Sequence, residues 1–208
     1  MSIAGKLLRY LALFWILVLS LGTFYLYGNF KTNEGFLQLK QFAIQTGTYL
    51  PAFYSHIFGS SVILLVGFAQ FSKRIYNNRP LHRRLGKIYV FGVLLFAAPG
   101  AYVMTFFIHR GNGVLISFLL QNTLWIIATI TAWRFAINGR VKLHVCMMRR
   151  SYALAFAAVT LRLYIWLFTV LGNGVAFENN YLIIAFLSWV PNLILVEIIN
   201  YYDRGSYL

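Results

Sequence analysis

Carboxylates are scarce in this chain: four Asp and Glu stand against eighteen Lys and Arg in 208 residues. Cysteine is scarcer still, with Cys146 alone. A single thiol excludes an internal disulfide and any metal site built from cysteines. No H-x-x-x-H or H-E-x-x-H spacing occurs, so a zinc or copper centre lacks the three or four close ligands it needs. No serine, cysteine or carboxylate constellation accompanies the histidines, which sets a hydrolytic enzyme aside. Charge of either sign is also low, at 11% of residues against 60% hydrophobic, and the mean hydropathy is +0.70. That is too little polar surface to cover a soluble domain of this size. The expected fold class is therefore an all-α integral membrane protein.

What is present is a series of six apolar runs, at residues 10–27, 52–71, 88–108, 114–137, 152–171 and 181–199. Each is long enough for one transmembrane helix, since about 20 residues at 1.5 Å cross a core of about 30 Å. Short connections such as 109–113 and 172–180 force neighbours to run antiparallel, giving an up-and-down bundle. The chain is expected to form a single polytopic domain over 1–208, with a core bundle at 52–171 and flanking helices at 10–27 and 181–199. The first run, preceded by Lys6 and Arg9, is long enough to span and no small-x-small pattern closes it. It is therefore expected to be a retained helix rather than a signal peptide.

The net charge of +14 is concentrated in the connections. In a soluble protein it would point to nucleic acid; here the positive-inside rule and anionic lipid account for it, and no nucleic-acid partner is expected. The densest island, residues 73–89, carries Lys73, Arg74, Arg79, Arg83, Arg84 and Lys87 with no acid. If the N-terminus is cytoplasmic, fourteen basic residues collect on that side, and only Lys31, Lys40 and Arg110 face the other with Glu34 and Glu178. Both termini are thus expected in the cytoplasm. The longest outer connection, residues 29–50, repeats apolar residues at helical spacing from Phe36 to Ile44 and is expected to lie along the interface. Pro99-Gly100 should kink the third helix, leaving a carbonyl without its usual donor and room for close packing, and Pro191 should act similarly in the sixth.

There are only four histidines, His56, His82, His109 and His144, each at or just before the start of the second to fifth apolar runs. Because successive helices alternate direction, His56 and His109 belong to the outer side and His82 and His144 to the inner side. Each pair comes from parallel helices able to face each other across a four-helix core, the arrangement of two axial imidazoles on haem iron. Arg83, Arg84, Lys87, Arg149 and Arg150 flank the inner pair, where they would reach haem propionates. The expected cofactor is haem b, with His82 and His144 ahead of His56 and His109 as ligands. Wet interfacial histidines at helix ends satisfy the same pattern without any cofactor. Arg162 lies within the fifth run, where an arginine costs at least about 2.5 kcal/mol unless buried with partners. It is expected to face the interior near Gln121, Asn122, Ser60 and Ser61, gripping a propionate, a quinone or an anionic substrate, or serving as a polar strut.

Three segments carry a family likeness. They are His56-Ile-Phe-Gly59 running to Gly67-Phe-Ala-Gln-Phe71, His82-Arg-Arg-Leu-Gly-Lys-Ile-Tyr89, and His144 leading through Met148-Arg-Arg-Ser-Tyr-Ala-Leu154 to Val159-Thr-Leu-Arg-Leu-Tyr164. On these the chain resembles the bacterial membrane proteins grouped as domain-of-unknown-function family 2306. The resemblance implies the helical fold and a bacterial cytoplasmic membrane, and singles out His56, His82, His144 and Arg162. Helix count and histidine placement are similar to cytochromes of the b561 type, which hold haems between parallel helices, a likeness of arrangement and not of motif. The functional expectation is a b-type cytochrome-like electron carrier working with a quinone or another redox partner. The alternative is a small-solute transporter or structural subunit without cofactor.

Overall fold

The computed structural model describes residues 3–171 and 177–205, and every regular element in them is helical. The expected connection at 172–180 falls mostly outside the described residues, as do the side chains of Glu178 and Arg204. Among the described residues six segments are long and apolar enough to cross a membrane: Gly5–Tyr27, Tyr49–Gln70, Arg79–Phe106, Asn112–Ile137, Val141–Leu171 and Asn180–Asp203. They correspond one for one to the six apolar runs. The chain divides into two compact units, residues 1–107 and 108–208, of three spans each.

In the first unit, α1 (Ile3–Tyr27) leads into a 3-10 turn (Gly35–Lys40) and α2 (Gln41–Ile44). This is the helical stretch expected in the long connection. It is clipped down by Leu37, fully buried, and by the Tyr27 hydroxyl, which accepts the Phe36 amide at 2.9 Å. Gly35 has φ +53, and a Cβ there would lie 2.6 Å from that hydroxyl, so both conformation and space call for glycine. The middle span, α3 (Tyr49–Gln70), packs against α1 on one side and against the third span on the other. After the short α4 (Lys73–Asn77), the third span is composite: α5 (Arg79–Phe91), a π turn (Gly92–Ala97) and α6 (Ala98–Phe106).

This span starts nine residues before its apolar run. Asn78 accepts the Leu81 amide at 3.2 Å and Pro80 sits in the first turn, so the helix is started by its cap rather than by hydrophobicity. Rings dominate the packing near the start of α3, with Tyr27 against Phe53 at 5.1 Å and Tyr49 against Phe107 at 5.2 Å.

In the second unit, α7 (Asn112–Ile137) and α8 (Val141–Leu171) form an antiparallel hairpin, and α9 (Phe177–Leu187) and α10 (Val190–Gly205) pack on it. Gly139, at φ +69, turns the chain, and the Arg140 amide reaches back to the Phe135 carbonyl at 2.9 Å. That closing bond ends α7 and lets α8 begin at once, eleven residues before the apolar run at 152. Pro191 follows the break between α9 and α10. There the Ser188 carbonyl receives the Asn192 amide at 3.0 Å and the Thr160 hydroxyl.

Candidate functional site

The proline in the third span produces the first notable environment. Pro99 has no N–H, and the π turn before it loosens the helical ladder. Two donors reach this turn from α3. Ser55 Oγ donates to the Phe96 carbonyl at 3.1 Å, and His56 Nδ1 lies 2.8 Å from the Ala97 carbonyl. The two helices come this close because Gly100 has no side chain: a Cβ there would stand 2.4 Å from the Ala52 carbonyl and 2.9 Å from the His56 backbone nitrogen. The close packing expected at Pro99-Gly100 is present, beside a π turn in the helix, and the sequence held no sign that His56 would be the donor.

The second unit repeats the contact with different elements. His144, the fourth residue of α8, places Nδ1 2.8 Å from the Ala132 carbonyl of α7. A carbonyl only accepts, so in both histidines Nδ1 carries the hydrogen and Nε2 is the basic nitrogen of the neutral ring. Metal-bound histidines are oriented in the same way, with the far ring N–H on a backbone carbonyl or carboxylate. Both imidazoles are half-buried.

His82, the fourth residue of α5, is half-buried, with its ring edge-on to Tyr76 at 5.7 Å and its backbone carbonyl accepting Gln70 Nε2 at 3.0 Å. His109 is exposed in the connection between α6 and α7. Within the first unit, His56 and His82 lie at different levels, because Gln70, beside His82, is about 21 Å along α3 from His56. Within the second, His109 precedes α7 while His144 is beside Ala132 near the far end of that helix. The expected alternation of depth thus holds inside each unit, and each expected pair takes one histidine from either unit.

The arginines diverge from expectation. Arg83 is exposed on α5. Arg149 donates to Asp203 at 2.5 Å and Asn200 at 3.2 Å, and Arg150 makes a two-pronged contact with Glu197 at 2.5 and 2.6 Å. These guanidinium groups fasten α10 to α8, a use invisible to spacing because the partners lie about fifty residues away. Arg162 was expected to face the interior, but it is exposed and donates to the Ala158 carbonyl of its own helix at 3.1 Å.

Gln121, expected near it, donates to the Leu154 carbonyl at 3.2 Å, and Ser61 to its own helix at Ile57. Among the described residues no three His, Cys, Asp or Glu side chains gather as a metal-binding group.

Six apolar helices in two packed units, with few acids and cations at the span ends, define a multi-pass integral membrane protein. Residues 53–200 match the family described as "Predicted membrane protein (DUF2306)", and the chain belongs to that family. Among curated proteins and among solved structures, nothing matches the chain.

Proposed function

We propose that the protein is a b-type cytochrome-like electron carrier of the bacterial cytoplasmic membrane, with both termini on the cytoplasmic side. The observation that carries this reading is the pair of Nδ1 contacts to alanine carbonyls, which present the Nε2 nitrogens of His56 and His144 as ligands. Haem b bound there supplies a one-electron couple, and a quinone or another redox protein is the partner. The lopsided distribution of cations supports the orientation. Arg162 serves as the quinone or propionate contact in this reading. Arg149 and Arg150 do not, because Asp203 and Glu197 already hold them.

The test is an absorption spectrum of the full chain purified from haem-supplemented cells. A Soret band that falls by at least half in His144→Ala, while the variant keeps its helical circular dichroism, is the expected result. Colourless, folded protein under haem supply would overturn the proposal. A second reading, a transporter or structural subunit without cofactor, draws on the polar contacts between α7, α8 and α10, such as Thr129 to Ser151 at 2.7 Å and Asn192 to Thr160 at 3.1 Å. Such contacts also serve plain helix association.

A further inference from the structure

The connection between the second and third spans poses an electrostatic problem that the first unit does not solve for itself. Residues 73–87 carry six cations, whereas residues 1–107 contain one carboxylate, Glu34. Glu34 belongs to the connection after α1, where it is 3.3 Å from Lys31 and 2.9 Å from the Asn29 amide. That is the end of the unit where α3 begins, and the length of α3, about 30 Å, separates it from the island. The second unit contrasts sharply, since Arg149 and Arg150 have carboxylates of their own.

Two of the six cations, Arg74 and Arg79, also share one shallow depression. The turn from α4 into α5 borders a shallow, wide-open depression of about 620 Å3 lined by Arg74, Asn77, Asn78, Arg79 and Pro80, all of them exposed. The turn is fixed rather than loose. The Asn78 amide donates to the carbonyls of Arg74 at 3.3 Å and Ile75 at 3.1 Å, its side-chain oxygen accepts from Leu81, and Pro80 restricts the next step. Two guanidinium forks and the amide groups of two asparagines are a donor set suited to a phosphate and unsuited to a cation.

The surroundings decide which phosphate. The depression is within a few residues of Gln70, where the second span ends, and contains Arg79, where the third begins. Three large apolar side chains near it are exposed: Phe71 at 48%, Tyr76 at 56% and Leu81 at 39%. Apolar side chains beside arginines at a span boundary match a headgroup lying above acyl chains. A free phosphate ion would gain nothing from them.

We propose that the Arg74–Arg79 turn binds the phosphate of an anionic phospholipid headgroup. The turn acts as a specific site, beyond the general attraction of a basic loop to a charged surface. It is independent of any haem.

The experiment uses the full-length, delipidated protein in detergent, titrated with phosphatidylglycerol or phosphatidylcholine and followed by native mass spectrometry and thermal melting. Phosphatidylglycerol is expected to be retained preferentially and to raise the melting temperature. Arg74→Gln/Arg79→Gln should weaken its binding roughly tenfold to thirtyfold. Arg83→Gln/Arg84→Gln, which removes the same charge from the same island, should change it less than threefold. Arg79→Lys keeps the charge and loses the fork, and should fall between, which preserves the test if the double variant does not fold. Equal losses in the two double variants would reduce the island to diffuse charge and overturn the site. Retention of both lipids alike would do so too. A melting shift reproduced by inorganic phosphate alone would reassign the depression to a soluble anion and overturn the lipid assignment.

Discussion

The two three-span units reach similar compactness by different chemistry. The first is held by rings, by absent side chains and by side chains bonded to backbone carbonyls: Tyr27, Tyr49 and Phe53 cluster where α3 begins, Gly59, Gly92 and Gly100 let the third span press against it, and Ser55 and His56 reach its Phe96 and Ala97 carbonyls. The second is held by polar side chains between helices, from Trp189 on Ser117 at 3.0 Å, through Thr129 on Ser151, to the ion pairs of Arg149 and Arg150. Close packing of small residues and hydrogen bonding across helices are the two means available where lipid offers no hydrophobic drive. A unit that packs through glycine tolerates no added atom, and a unit that packs through side-chain pairs tolerates modest change at each.

The largest difference should appear at glycines. Gly100→Leu must part α3 from α6, because even its first carbon meets backbone at 2.4 Å, and it should cost about 3 kcal/mol or more. Gly113→Ala in the second unit meets only the tip of Leu182, at 2.8 Å, and should cost under about 1 kcal/mol. Melting curves in detergent decide it, and equal costs would end the distinction between the units. Next in size, Arg150→Ala frees Glu197 and should lose about 1 kcal/mol, the pair being partly exposed. A double-mutant cycle with Glu197→Gln should recover a coupling of that order, whereas Arg83→Gln in the first unit should leave the melting temperature alone.

Thr129→Val removes one bond to Ser151 and should lose about 0.6 kcal/mol, which is typical of such contacts in membranes. A cost above about 2 kcal/mol would mean that the bonds of the second unit act as one network. The smallest effect is at Glu34, whose carboxyl is held below the usual carboxylate range by the Asn29 amide and then by Lys31. Its folded form is the more acidic, so its contribution is complete above the usual carboxylate pKa and is lost as pH falls through the lowered value. Chemical shifts of the 29–34 turn should therefore titrate with a midpoint below that of an ordinary glutamate. A change centred above pH 5 would contradict the contact.

Much of this molecule is legible along the chain. Six runs of about twenty apolar residues can do little else in a bilayer than form six helices. The close approach at Gly100 and the alternate histidine depths also follow from local chemistry and direction. The candidate site is less legible. His56 and His144 were visible as candidates, yet the carbonyls that orient them belong to Ala97 and Ala132, residues without any polar side chain to notice. Arg149 looked like a propionate contact because its neighbours are basic, and Asp203 lies fifty-four positions away. Arg162 was expected to face inward, yet its guanidinium turns back to the Ala158 carbonyl of its own helix, and which face of α8 is covered depends on neighbours that spacing along the run does not reveal.

Composition and order of residues were enough to require a membrane, six crossings and a strongly basic set of connections, since the cost of burying polar groups in lipid acts residue by residue. Which imidazole nitrogen presents its lone pair, which arginines are already neutralised and which glycine holds two helices together depend on groups far apart in the chain. Such facts arise only when helices touch, because hydrogen bonds and close contacts act over a few ångström and sequence separation carries no measure of that distance.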